Sequence, residues 1–344
     1  MIDFRYHLVS LVSVFLALAV GIVLGAGPLK DPISEGLSQS VQQLRQDRDA
    51  LGDQLKTAQA GSRNRDTFIT DVQGQLVQGQ LTGRSVVLVT LPGADADALR
   101  PLTQAIIGAG ARVTGRIDLH DAWADPASRS ARDTAIGNLR SLVGGPAATS
   151  TGSSSRTPSP SPTASGTAGS ASDTAAAQLL ARALVSTDAT PGERPDESSR
   201  TLLEGLSRAG LLDVNGEIPG RATEAVLVVP GVSTAVQGAV PTPSPSPSPD
   251  GSPAWMALAS VLDADSSGTV VVGPASAATT GGLLTAIRAQ QPLAAAVSTV
   301  DQGGQPMGDV MTVLALREQL TGGAGSYGFG AGAKATLPTR GTGD

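Results

Sequence analysis

The stretch VVLVTLPG, Val86 to Gly93, decides the fold. Val86-Val87-Leu88-Val89 leaves no polar face, so a strand here is buried on both sides. Pro92 and Gly93 then stop it and turn the chain. The same device recurs in VLVVPG, Val226 to Gly231, and in VVVGP, Val270 to Pro274. After the first of these strands, Asp95 to Gly108 carries a helical period and Ala111 to Leu119 reads as a second strand. Together they make a βαβ unit with a short crossover. Helical patterns also cover 127–143, 173–185, 199–209, 254–262, 281–290 and 308–320, and Ala294 to Val300 reads as the last strand. Alternating strands and helices imply an α/β domain over residues 84–320. It is expected to be a Rossmann-like, mostly parallel sheet of about five strands with helices on both faces. Ligands of such sheets bind in the crevice beyond the carboxyl ends of the strands.

Two segments interrupt this pattern, residues 144–172 and 240–253. Both are rich in Ser, Thr, Pro and Gly, with too little apolar surface to order themselves, and are expected to be disordered insertions. Residues 321–344 form a Gly-rich tail, read as flexible or surface-hugging.

Outward in the other direction lies a helical segment with a 3-4 apolar spacing. One set of seam positions is Val41, Arg48, Leu55, Ser62, Ile69 and Leu76, and the other is Leu37, Leu44, Leu51, Ala58, Arg65 and Val72. Nine of these twelve are apolar and the register holds without a skip, so residues 33–80 are expected to be a coiled-coil helix, with Leu44, Leu51 and Leu55 central to a homodimer seam. Its length would be roughly 70 Å. The competing arrangement is a single amphipathic helix packed back on the domain.

Before it, Leu8 to Leu29 contains no charged side chain, and Leu8 to Gly27 as a helix would be roughly 30 Å long, the thickness of a bilayer core. Residues 8–29 are therefore expected to be a retained transmembrane anchor. Gly25-Ala26-Gly27 offers a cleavage site for a signal peptide, but the apolar run is long for that. Arg5 and the N-terminal amine place residues 1–7 in the cytoplasm and the remainder outside it. Ala17, Gly21 and Gly25 form a small-xxx-small ridge on which two anchors could pack.

MIDFRYHLVSLVSVFLALAVGIVLGAGPL, Met1 to Leu29, resembles the start of the actinobacterial copper transporter family, the MctB-like proteins. VSTVDQGGQPMGDVMTVLALREQLTGGAGSYGFGAGAKATLP, Val297 to Pro338, resembles that family's end. The resemblance spans most of the chain outside the two insertions and rests on extended similarity, without a short catalytic motif. It implies a membrane-anchored envelope protein with a role in copper efflux or homeostasis, and copper as a possible ligand.

Composition limits the chemistry. The formal charge of −6 provides no basic footprint for nucleic acid. With no cysteine there is no disulfide, thiolate nucleophile or Cys metal cluster. Four Phe, two Tyr and two Trp cannot furnish the aromatic girdles of an outer-membrane barrel, so the chain alone is not expected to form a pore. There is no GxxxxGK[ST] loop or GxSxG elbow, and Gly108-Ala109-Gly110 follows a helix, so no enzyme is expected. Copper(I) prefers thioether and thiolate, and imidazole also suits copper. The candidate ligands are His120 with Asp118, which share one face at a strand end beside Asp121, and Met307 with Met311, four apart on the last helix. The residue-level alternatives are a solvated strand terminus for the first pair and ordinary core methionine for the second. Expected partners are the lipid bilayer, a second copy of the chain and an envelope protein. Beside copper transport stands a second reading, a non-enzymatic scaffold or regulator of the peptidoglycan hydrolase and division machinery.

Overall fold

The computed structural model describes residues 4–26, 30–143, 171–188, 197–216, 218, 220–232 and 252–338. Of the expected insertions, 144–170 and 240–251 lie outside the described residues, whereas 171–172 and 252–253 already belong to helices. The described residues divide into two compact units, Met1–Arg65 and Asp66–Asp344.

The first unit contains helix α1, Phe4–Ala26, and most of helix α2, Lys30–Val77. The Tyr6–Val23 window of α1 is long and apolar enough to cross a membrane. Gly21 and Gly25 both lie within α1. Helix α2 runs unbroken through Gly36, Gly52, Gly61 and Gly74. Each interior glycine disfavours helix by roughly 1 kcal/mol relative to Ala, a penalty the many Gln, Leu, Arg and Ala neighbours offset. The seam leucines of α2 remain open: Leu44, Leu51 and Leu55 are 67%, 65% and 58% exposed.

The second unit is a mixed α/β domain. Its elements in chain order are β1 Ser85–Thr90, α3 Ala96–Gly108, β2 Arg112–Leu119, α4 Arg129–Val143, α5 Ala171–Leu184, α6 Glu197–Arg208, β3 Leu212–Asn215, β4 Glu224–Val228, α7 Ser252–Asp265, β5 Thr269–Val272, α8 Leu283–Ala289, α9 Gln291–Ala296, β6 Ser298–Val300, α10 Pro306–Gln319 and β7 Ser326–Tyr327. One seven-stranded sheet has the order β3-β2-β1-β4-β5-β6-β7. Every neighbouring pair is parallel except β2 with β3. The order turns between β1 and β4, so the crevice at the ends of those strands opens beside Pro92-Gly93 and Pro230-Gly231.

The valine runs behave as their composition demands. In β1, Val87 and Val89 enter one apolar cluster with residues of α4 to α9, while Val86 and Leu88 enter a second with residues of α3 and α10. Val77, at the end of α2, and Leu81 also belong to the second cluster, so this end of the helix is packed into the α/β unit. Asp95 caps α3, its carboxylate accepting from the Asp97 N–H at 2.9 Å.

Three expectations change. The sheet has seven strands rather than about five, because β3 and β7 are edge strands of four and two residues with little apolar pattern. The last expected strand, Ala294 to Val300, is shortened to its second half: Pro292 opens α9 in its first turn, the helix runs to Ala296, and Ser298–Val300 pairs in the sheet. The described part of the tail, 321–338, is mostly exposed or half-buried but enters the sheet at one place. Ser326 and Tyr327 are buried and pair with β6.

Candidate functional site

At the end of β2, Asp118 and His120 take hydrogen-bond partners contributed by the unexpected strand β3 and the turn before it. Antiparallel register places Asp118 directly opposite Asp213. Two carboxylates so paired repel each other. Arg116 Nη2 donates to Asp118 at 2.7 Å, Asn215 Nδ2 donates to Asp118 at 2.6 Å, and His120 Nε2 lies 2.9 Å from Asp213. His120 Nδ1 lies 3.0 Å from the Gly210 carbonyl. Both ring nitrogens therefore face oxygen acceptors, the arrangement of an imidazolium. Burial lowers the His120 pKa, but the Asp213 and Gly210 hydrogen bonds and the charges of Asp213 and Asp118 outweigh it, leaving a net rise above 6.5. The cluster is a neutralising clasp on the edge strand. A metal ion would have to displace one of these hydrogen bonds to reach a ring nitrogen.

The methionines are elsewhere. Helix α10 begins early enough to hold both Met307 and Met311. Met311 is fully buried in the second apolar cluster, and Met307 packs against the same cluster. Helix α10 lies over β5 and β6. From β2 to β5 is three strand intervals, roughly 14 Å, so the structure does not bring the thioethers to His120 and Asp118. Met256, on α7, lies in the other cluster. Among the described residues, no three His, Asp or Glu side chains converge in a metal-holding group.

Other charged groups are buried where the sequence offered no periodic signal. Arg132, in the first turn of α4, and Asp173, in the first turn of α5, pair at 2.7 Å. Arg288, at the end of α8, pairs with Asp301, just past β6, at 2.9 Å. Glu224 opens β4 in the middle of the sheet with both carboxyl oxygens buried and unpartnered. Burial raises it from 4.5 to about 8 against the lowering influence of Arg84. Asp309, in the first turn of α10, is raised to about 7 by burial. At the crevice end of β1, the Thr90 hydroxyl is also buried without a partner. An isolated Glu or Asp in a sequence is most economically read as surface charge, and only the residues that surround it in space overturn that reading.

The full length of the chain has relatives. The family model described as "Copper transport outer membrane protein, MctB" matches residues 1–338. The chain is 29% identical over 335 residues to proteins named "Copper transporter MctB" from Mycobacterium tuberculosis and Mycobacterium bovis, covering 97% of this chain and 98% of each relative. It is also 29% identical over 344 residues to the protein of that name from Mycobacterium leprae, covering 98% of this chain and 100% of the relative.

Proposed function

Because the chain belongs to the family of the copper transport outer membrane protein MctB, we propose that it serves copper efflux or homeostasis as a membrane-anchored component of the cell envelope. The observation that carries this reading is the match from residue 1 to residue 338, which includes the apolar helix, α2 and the α/β domain alike. Helix α1 is the anchor, with Arg5 on the cytoplasmic side, and the α/β unit works outside the cytoplasm. The chain acts without catalytic chemistry. Copper, as cargo, is held weakly by the α/β unit: both His120 ring nitrogens and Asp118 Oδ2 already have hydrogen-bond partners, Met311 is in the apolar core and Met307 packs against it. Deleting the gene in its host should lower the copper concentration that stops growth, and the full chain should restore it while a chain lacking Phe4–Ala26 should not. Unchanged copper tolerance in the deletion would sink this reading. A reporter active only outside the cytoplasm, fused after Asp344, should be active.

The second reading, a dimeric scaffold or regulator of envelope machinery, is favoured by one observation, the exposed row Leu44, Leu51 and Leu55. A second copy packing there as a parallel coil, extended by Gly21 and Gly25 in the anchor, would cover it. A septation defect with normal copper tolerance would favour this role over the first.

A further inference from the structure

The Gly-rich segment near the C-terminus has a binding geometry that its composition hides. Four donors converge on the Asp301 carboxylate. Oδ1 accepts from the Phe329 N–H at 2.9 Å and from Gln302 Nε2 at 2.9 Å. Oδ2 accepts from the Gly330 N–H at 2.8 Å and from Arg288 Nη1 at 2.9 Å. Two successive backbone N–H groups aimed at one anion form a nest, and the guanidinium closes its other side. Arg288 has further partners: Nε donates to Thr299 Oγ1, Nη2 to the Tyr327 carbonyl and Nη1 also to the Ala331 carbonyl, each at 2.9 Å. Asp301 is fully buried and Arg288 is 6% exposed.

The glycine spacing of GFGAG follows from this packing. A Cβ on Gly328 would collide with the Asp301 carboxylate, and its φ of +128° is one that side chains disfavour. A Cβ on Gly330 would collide with Ala278, and one on Gly332 would press on Arg288. Glycine at 328 lets the backbone approach the buried anion, as at phosphate-binding turns, while at 330 and 332 it makes room for Ala278 and the Arg288 stem.

We propose that the segment Tyr327–Ala331 and Arg288 form a carboxylate receptor whose resident ligand is the chain's own Asp301, so that the C-terminal segment is a strap locked onto β6 by an internal ligand. The ligand class is a small monocarboxylate, bound through both oxygens. Burial works to raise the Asp301 carboxyl, but the Gln302, Phe329, Gly330 and Arg288 hydrogen bonds outweigh it and hold the group below its ordinary 3.8, as expected of a bound anion. Without the lock, β6 becomes the edge of the sheet and Val300 loses cover.

Chemical rescue tests the proposal on the full chain in detergent micelles, with thermal unfolding followed by the fluorescence of Trp123 and Trp255. Asp301→Ala removes the carboxylate and leaves Arg288 buried and unpaired, which should lower Tm by about 10 °C. Sodium formate should restore at least half of that loss saturably, whereas sodium chloride at equal ionic strength should not. Neither the unsubstituted chain, whose receptor is filled, nor Leu206→Ala, destabilised far from the strap, should respond to formate. Equal responses to formate and chloride in Asp301→Ala would overturn the receptor and leave an ordinary ion pair. Should that variant fail to fold, Asp301→Asn supplies the test by amide exchange. Exchange at Phe329 and Gly330 should accelerate at least tenfold while that at Val271 is unchanged, and unaltered exchange at all three would equally refute the proposal.

Discussion

The two compact units treat leucine in opposite ways. In α2, Leu44, Leu51 and Leu55 stand more than half exposed, whereas in the α/β unit Leu180, Leu184 and Leu206 are fully buried. The side chains are the same and the helices equally regular. The difference is that the exposed face of α2 meets no packed surface, whereas the α/β helices pack on one another and on a sheet whose both faces are apolar. Within the first unit α1 is long and apolar enough to cross a membrane, and the α2 leucines stay open to solvent. The second unit gains hydrophobic stabilisation on folding alone.

The same truncation placed in each unit gives the largest contrast. Leu206→Ala should destabilise the α/β unit by about 2–5 kcal/mol, read as a lower midpoint in thermal unfolding. Leu51→Ala should leave that midpoint unchanged. An equal loss in both would mean that the seam is packed on its own domain. Leu51→Asp, which would bury two unpaired charges in a parallel dimer, should convert the full chain in micelles from dimer to monomer in sedimentation equilibrium. A monomeric unsubstituted chain would remove the coiled-coil seam from consideration.

A second prediction sharpens the comparison inside the α/β unit. Glu224 has a folded pKa of about 8 against an ordinary 4.5, so the folded state binds more protons than the unfolded one. Its contribution is intact below pH 4.5 and is lost as pH rises toward 8, at roughly 1.4 kcal/mol per pH unit. Glu224→Gln should therefore flatten the pH dependence of unfolding and stabilise the protein by a few kcal/mol at pH 9. A variant that leaves the alkaline loss intact would show that Glu224 is ionised and paired.

The smallest effect belongs to the exposed edge. His120 has a raised folded pKa, so its stabilising link to Asp213 is fully present below pH 6.5 and fades as pH rises through the folded value. The ring is 39% exposed and its partner more so, and such a pair contributes about 1 kcal/mol or less. His120→Gln should thus cost little at pH 6 and nothing at pH 9, measured by denaturant midpoints. An Asp118→Asn change that raised rather than lowered stability would indicate that the facing carboxylates, Asp118 and Asp213, still repel.

Reading from sequence succeeded where local chemistry and burial agree. Val86 to Val89, Val226 to Val229 and Val270 to Val272 are apolar on both faces, and Pro-Gly or Gly-Pro ends each, so these strands were legible. Asp95 before an apolar-periodic run marked the start of α3 within a residue. Legibility failed at the sheet edges. Leu212–Asn215 and Ser326–Tyr327 are short and partly polar, and they are strands because a neighbour's free edge satisfies their backbone groups. It also failed for the partners of the candidate site: Asp213 and Asn215 meet Asp118 and His120 only through the antiparallel pairing of β3 with β2.

The sequence by itself determined an apolar helix of bilayer length, a long helix with a leucine seam, and an α/β unit with its central strands, because these depend on composition and period along the chain. Only the tertiary structure decided that Ser326 and Tyr327, inside the Gly-rich end, join the sheet. Glycine composition alone favours disorder, since glycine loses the most conformational entropy on ordering. Here the Asp301 carboxylate and the Arg288 guanidinium, 13 residues apart in sequence, offer a buried anion and cation that the backbone around Gly328 and Gly330 can approach only because those residues lack side chains.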